Sequence, residues 1–498
     1  MTEAVETASG DAGGKSYGWP VYRGYVLILL TIVYTLNFID RNLLSVIAQP
    51  VISSFNLSDS QYGFLNGPPF AIFYALMGIP IAIAADRYNR VTIIAICIAI
   101  WSLMAALCGF ATSFMFLLVA RVGVAIGEAG CTPPANSIIG DYFKPSSRAN
   151  ALGIYAMGVT IGGALANAFG GPIATGLTGT NVEAWLQTQG LTALLPIDWS
   201  HVEGWRIAFV AIGAPGLIIA LLVLFTVKEP PRGISDPPAM ERRDSAGILE
   251  TMRELATKPT FWTMAMGAAL TALVGYGLSG FQAPMAQRIH GISPGQFALH
   301  FGVPLSLCAA AGTFIGGFAT EKLTPRYPAA VAWIPALGLL LAIPFYEAAY
   351  FMPTEHLDAA LILWSAAATL HYTYLGAQYT IGQGVVSTRS RASAIAILLL
   401  IIALIGNGLG PQIVGWLSDM FMNMQIAQHG MQGILTNEMC RSKDLLAQMP
   451  EAHRTICTAA YGEGLRQAMA ATALFFIPAA AFFWLSSLTY RRDLVAKS

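Results

Sequence analysis

Apolar runs of bilayer-crossing length recur from Tyr22 almost to the C-terminus, and few chain folds tolerate that. Hydrocarbon offers no partners to backbone N–H and C=O groups, so repeated apolar runs of about 20 residues specify a bundle of spanning helices. The composition agrees: 55% of the 498 residues are hydrophobic and 11% are charged, against about a quarter charged in soluble domains. Zero formal net charge, with basic residues scattered rather than patched, argues against a nucleic-acid partner. The fold class read here is an all-α polytopic membrane protein with twelve transmembrane helices in two six-helix halves.

The twelve spans fall at about 22–48, 61–84, 91–112, 114–140, 149–172, 205–226, 261–284, 297–320, 329–351, 357–381, 391–417 and 465–489. Most of the 27 Lys and Arg residues lie in the N-terminal tail, alternate loops and the C-terminal tail. Cytoplasmic loops are the ones enriched in these residues, so both termini are expected in the cytoplasm; the membrane expected for this chain, as a short-tailed, bacterial-looking sequence, is a bacterial inner membrane. Residues 1–21 read as a cytoplasmic tail with no cleaved signal peptide, because the first apolar run is long and carries charges. The half-bundles are 22–226 and 261–489, followed by a short tail at 490–498. Between the halves, 227–260 reads as a cytoplasmic linker holding Pro230-Pro231 and Pro237-Pro238. Within it Ile248, Leu249, Met252 and Leu255 recur at helical spacing, the pattern of a helix lying at the membrane surface. Cys97, Cys108, Cys131 and Cys308 fall in apolar spans and read as packing residues. Cys440 and Cys457 share one long polar loop, and sequence leaves open whether they pair.

The halves repeat. Ala82-Ile-Ala-Ala-Asp86-Arg87-Tyr-Asn-Arg90 follows span 2, and Gly317-Phe-Ala-Thr-Glu321-Lys322-Leu-Thr-Pro-Arg326 follows span 8. Arg148-Ala-Asn-Ala151 precedes span 5 and Arg391-Ala-Ser-Ala394 precedes span 11, and these spans carry Asn167 ahead of Gly171-Pro172 and Asn407 ahead of Gly410-Pro411. Matching order at a common offset of about 240 residues marks a duplication, and parallel repeats of this kind place a central site near mid-membrane. The carboxylate–base turns are expected to act as gates, exchanging ion pairs between spans: Asp86, Arg87, Arg90 and Arg148 in one half, Glu321, Lys322 and Arg391 in the other. The structural alternative is an ordinary basic loop that sets topology.

Two stretches carry charge inside spans. Arg121-Val-Gly-Val-Ala-Ile-Gly-Glu-Ala-Gly130 puts Arg121 and Glu128 on nearly one helix face, roughly 10 Å apart along the axis. Asn37-Phe-Ile-Asp40-Arg41 adds a second carboxylate and base in span 1. Charges at membrane depth are costly and ordinarily face a protein interior or an aqueous path. A buried ion network without traffic is the structural alternative. Burial and neighbouring arginines act in opposite directions on Asp40 and Glu128, so both are candidates to carry a coupled proton. The second half offers neutral or titratable groups instead, namely Tyr276, His371, Tyr372, Tyr374 and Gln378. His371 and the tyrosines are equally at home as packing residues. A charged wall facing an aromatic one suits an amphiphile with one ionic head. Enzyme signatures are missing: no His/Cys spacing for a metal, and no phosphate-binding glycine loop.

Asn37–Arg41, Asp86-Arg87-Tyr-Asn-Arg90, Arg121 through Gly127-Glu128-Ala129, Gly204-Trp205-Arg206 with Ala214-Pro215-Gly216, and Lys228-Glu-Pro-Pro-Arg-Gly233 together resemble the spinster branch of the major facilitator superfamily. The similarity is dense over 20–235 and thinner beyond; Ala82 and Asn89 stand where the superfamily usually has glycine. The resemblance implies a lipid transporter, since the branch's animal members move sphingosine-1-phosphate and lysophospholipids. It also implies use of Asp40, Arg41, Arg121 and Glu128 in binding or proton coupling. The expectation is a monomeric secondary active transporter, with no cofactor and no metal, moving an amphiphilic lipid by alternating access with protons. The alternative is export or import of a small soluble organic ion or drug.

Overall fold

The computed structural model describes residues 16–189, 198–235, 247–387 and 389–495. The tail before Ser16 with Lys15, and 236–246 with Pro237, Pro238, Arg242 and Arg243, lie outside the described residues. Eleven helical stretches are long and apolar enough to cross a membrane: Pro20–Val46, Asp59–Arg87, Arg90–Cys108, Phe114–Tyr142, Pro145–Gly176, Gly204–Thr226, Pro259–His290, Pro294–Leu323, Ala330–Tyr350, Arg391–Gln428 and Glu451–Asp493. A further crossing, tenth in order, runs as Leu357–His371 and Tyr374–Gly384 with a break at Tyr372–Thr373. The last helix begins at Glu451 and the eleventh runs on to Gln428, so the polar loop expected over 418–464 is mostly helical.

The duplication is visible in backbone detail. Ala166–Gly170 and Ile402–Leu409 are π-helical, each directly ahead of its Gly-Pro pair, and Ala298–Gly302 is π-helical ahead of Val303-Pro304. Proline has no N–H to give to the preceding turn and its ring crowds the carbonyl there; a local widening of the helix absorbs both. These widened turns are where the halves cross. Gly302 packs on Asn167 so tightly that a β-carbon would overlap its side chain, and Gly67 fits against the Gly408 carbonyl in the same way.

The halves meet on one side only. We call the face carrying Tyr17 and Val495 the terminal face and the opposite one the far face. A continuous apolar core runs from Leu43, Leu44, Tyr62 and Trp205 in the first half to Phe281, Phe297 and Val414 in the second. A separate core around Ile98, Trp101, Val124 and Tyr142 belongs to the first half alone, toward the terminal face. Among the described residues, every hydrogen bond joining the two bundles directly lies in the far part of the molecule, from Tyr62–Gly280 outward. The molecule is closed at the far face.

The first half is also braced at the terminal face. Buried Arg90 donates to Asp141 Oδ2 at 2.5 Å, Glu229 Oε1 at 2.6 Å, Ser137 Oγ at 2.7 Å and the Pro230 carbonyl at 2.8 Å. Arg90→Ala strands two carboxylates, and removing one member of such a network costs about 3 kcal/mol or more. A lowered melting temperature in detergent is the expected readout, with Arg90→Lys recovering only part, since an ammonium lacks the guanidinium fork.

The linker contains a helix at Ile248–Ala256. Its Leu255 is buried while Ile248 and Leu249 stand exposed. Glu254 accepts from the Ser387 N–H at 2.6 Å, the Ser387 hydroxyl at 3.0 Å and the Ser390 hydroxyl at 2.5 Å. Burial works against its charge, but the hydrogen bonds from Ser390 and Ser387, with Lys258 nearby, outweigh it and hold the carboxyl below its usual range. A depressed folded-state value means the docking contributes above the free glutamate value, near 4.3, and is lost as pH falls through the lower folded value. Hydrogen exchange of 248–256 should therefore accelerate as pH drops below about 4, relative to Glu254→Gln, which should lack that step.

Candidate functional site

The first crossing carries Asn37, Asp40 and Arg41 on successive turns, and the fourth carries Arg121 and Glu128. Small residues bring the fourth crossing close to its neighbours: a β-carbon on Gly127 would lie 2.6 Å from the Trp101 amide nitrogen. The helix breaks just beyond, at Gly130-Cys131, before resuming at Thr132. Glu128 therefore sits at the end of a helical segment, fully buried.

Arg41 reaches across to it. Its Nη2 donates to Glu128 Oε2 at 2.7 Å and its Nε to the same oxygen at 3.1 Å. Both donors share one oxygen, and Glu128 Oε1 is left without a partner. Asp40 Oδ1 and the Arg121 Nε and Nη1 atoms are likewise buried and unpartnered, although Asp40 lies within electrostatic reach of both Glu128 and Arg121. Four ionisable side chains thus meet with one ion pair completed. Leaving a buried polar group unmet costs on the order of 1–3 kcal/mol, more for charged groups. A cluster with four unpartnered atoms on three side chains is therefore poorly explained as a stabilising lock, and it is well suited to accept a proton, water or an ionic head.

The charges stand in an aromatic cage. The Arg41 guanidinium carbon lies 5.0 Å from each of the Phe38, Phe70 and Tyr74 ring centres, and that of Arg121 lies 5.3 Å from Phe70. Tyr34 stacks on Tyr155 at 4.5 Å and meets Phe38 edge-on at 5.2 Å. Sequence reasoning assigned aromatics to the opposite wall only; the structure places them on both. The available signal was the four-residue spacing of Tyr34 with Phe38 and of Phe70 with Tyr74, which puts each pair on one helix face.

Residues expected from the second half divide. His371 is packed in that half's core, its Nδ1 3.3 Å from the Tyr346 hydroxyl and its ring 4.7 Å from both Tyr372 and Phe476. Tyr374 is buried against it, ring centres 6.0 Å apart. Tyr276 is 38% exposed and close enough to interact with Arg41 across the interface and with Tyr372, Tyr374 and Tyr379 in its own half. Gln378 is buried with Oε1 unpartnered. Tyr276, Tyr379 and Gln378 are thus the second-half groups with capacity to spare.

Among the expected gate residues, Arg90 is tied to its own half and to the start of the linker. Arg148 is half-buried, its Nε 3.5 Å from the Phe143 carbonyl. Asp86, Arg87, Glu321, Lys322 and Arg391 stand exposed at the terminal face, joined to nothing in the opposite half among the described residues. That is the arrangement of an open side.

The closed side has a lock that sequence reasoning missed. Arg288 Nη1 and Nη2 donate to Asp59 Oδ2 and Oδ1, both at 2.7 Å, and Arg288 Nε donates to Gln49 Oε1 at 2.8 Å. The Tyr461 ring centre lies 3.7 Å from the guanidinium carbon, and Asp59 also accepts from the Ser418 hydroxyl at 2.6 Å. Gln49, Arg288 and Tyr461 also line a far-face vestibule of about 560 Å³ with Ser53, Glu203 and Trp205. The available signal was that Arg288 is one of the few basic residues on the far side.

The Major Facilitator Superfamily model matches residues 30–411. The chain is 29% identical over 495 residues to an MFS-type efflux pump of Mycolicibacterium smegmatis, spanning 99% of this chain and 98% of that protein. It is 24% identical over 406 residues to Protein spinster of Drosophila melanogaster, spanning 80% of this chain and 62% of that one. Among solved structures, it matches a bacterial homologue of the human lysosomal transporter spinster in an inward-facing, unoccupied conformation. That match has a TM-score of 0.90 and 53% identity, covering 97% of this chain and 100% of that one. A bacterial spinster homologue in an inward-facing, occupied conformation matches at a TM-score of 0.88 and 52% identity, covering 97% of this chain and 100% of that one. With its twelve crossings, two repeated halves and buried charged cluster, the chain belongs to the Major Facilitator Superfamily, and within it is a transporter of the spinster type rather than an enzyme.

Proposed function

We propose that the protein moves an amphiphilic lipid, of lysophospholipid or sphingolipid character, across a bacterial inner membrane by proton-coupled alternating access, with both termini in the cytoplasm and the monomer as the working unit. The observation that carries this reading is the incomplete cluster: Arg121 has donors free for an anionic head, Asp40 and Glu128 have oxygens free for a proton, and the surrounding rings suit an apolar body. Asp40 and Arg41 share the site from the first crossing, with Tyr276, Tyr379 and Gln378 opposite. The inward-facing match supports taking the terminal face as the cytoplasmic one.

The second reading, a soluble organic ion or drug as substrate, is favoured by the efflux pump that aligns over nearly the whole chain. A thermal-shift screen of the purified protein separates them. A ligand that binds the folded state raises its melting temperature by mass action. Lysophospholipids and phosphorylated sphingoid bases below their micellar concentrations should do so, and soluble organic anions at equal concentration should not. The reverse outcome selects the second reading.

A further inference from the structure

The far-face lock takes its second-half partners from two places that one crosslink joins. Cys440 and Cys457 form a disulfide with their Cα atoms 4.7 Å apart. Cys440 immediately precedes Arg441, whose Nη1 donates to Asp419 Oδ1 at 3.2 Å. The other oxygen of Asp419 accepts from the Ser60 N–H at 3.0 Å and the Ser60 hydroxyl at 2.6 Å. Ser60 belongs to the first half and adjoins Asp59, the partner of Arg288. Cys457 lies one helical turn before Tyr461, the ring beneath Arg288. The segment has its own small apolar core of Met422, Ile426, Leu435 and Ala460 around the two cysteines, and Asn437 ties it to the Asp419 carbonyl at 3.0 Å.

We infer that the stapled segment 430–457 is a positioning element of the far gate. By holding Arg441 against Asp419 and Tyr461 under Arg288, it favours the far-closed state over the far-open one. Among the described residues, Arg441 is linked to the first half by hydrogen bonds through Asp419. It acts by orienting a carboxylate that must let go of Ser60 each time the far face opens. The inference rests on alternating access and not on the identity of the substrate.

The test is the equilibrium between states, read without substrate. Spin labels coupled through encoded keto side chains at Gln187 and Gln428 leave every cysteine untouched and report the far-face distance by pulsed electron resonance. Arg441→Gln keeps the disulfide and should raise the ratio of far-open to far-closed molecules about fivefold, the factor a partly exposed ion pair carries. Arg441→Lys should return most of the closed population. The double variant Cys440→Ser with Cys457→Ser should move the ratio in the same direction as Arg441→Gln. If Arg441→Gln lowers the melting temperature but leaves the distance distribution unchanged, the segment is only structural and the inference falls. It falls equally if the lysine variant behaves like glutamine. A negative lipid screen would not touch this result, because no lipid enters the measurement.

Discussion

Replacing Glu128 with glutamine is expected to cut sharply the substrate accumulation driven by an imposed pH gradient in proteoliposomes, while leaving substrate exchange measurable. Glutamine preserves the shape and can still accept from Arg41, but it cannot alternate between charged and protonated forms. In the wild-type site Arg41 places both donors on Oε2, so a proton arriving at unpartnered Oε1 need not first break the pair. Exchange requires only binding and the conformational change; net uphill movement requires the protonation cycle. The two assays therefore separate coupling from binding. Gradient-driven uptake should fall by roughly tenfold or more, the effect of about 1.4 kcal/mol. Asp40→Asn, in the same cluster but without an arginine hydrogen bond, should retain more of it. Arg121→Ala should instead weaken binding in both assays, because it removes donors rather than a proton carrier. Undiminished gradient-driven uptake by Glu128→Gln would remove Glu128 from the coupling role and leave Asp40 as the candidate.

The fold was legible in the sequence because a bilayer imposes it: apolar runs set helix length, and the repeated Arg-Ala-x-Ala and Gly-Pro segments expose the duplication. Asp40, Arg41, Arg121 and Glu128 were legible for the same reason, since charge is costly at that depth and stands out against an apolar background. Which charges pair was not legible. Arg121 and Glu128 share a helix face, yet the pair that forms is Arg41 with Glu128, because the close packing of crossings decides reach. The cage of Tyr34, Phe38, Phe70 and Tyr74 was hidden because aromatic residues are ordinary in spans, and only their placement around a guanidinium distinguishes them. His371 illustrates the converse: a polar residue at depth drew attention, and its surroundings are those of a packed core side chain. The far lock escaped because Arg288 and Asp59 stand near helix ends, where charge carries no surprise, and because the partners lie 229 residues apart in the chain.

Arg288→Ala should open the far face. In the closed state the Arg288 and Asp59 side chains are only 4% and 2% exposed, and two parallel hydrogen bonds at 2.7 Å with the Tyr461 ring complete their surroundings. Truncating Arg288 leaves the Asp59 charge buried with the Ser418 hydroxyl as its remaining partner. Stranding a buried charge costs about 3–5 kcal/mol, whereas in a far-open state water can solvate the carboxylate. The differential falls on the closed state, and about 3 kcal/mol of it shifts a two-state ratio by more than a hundredfold. Ser45, close to Asn66 and Tyr62 behind the lock, supplies the probe. A cysteine at that position should resist a membrane-impermeant thiol reagent added from the far side in the wild-type background, and should react in Arg288→Ala. The charge swap Asp59→Arg with Arg288→Asp should restore protection, since it rebuilds the pair without the original residues. Transport should slow in Arg288→Ala even though its central site is intact, because a carrier held open on one face cannot complete the cycle. If the probe cysteine stays protected in Arg288→Ala, the Leu43–Phe281–Val414 core and the remaining bonds between the halves, such as Ser60–Asp419, suffice to hold the far face shut, and the ion pair is an accessory to them.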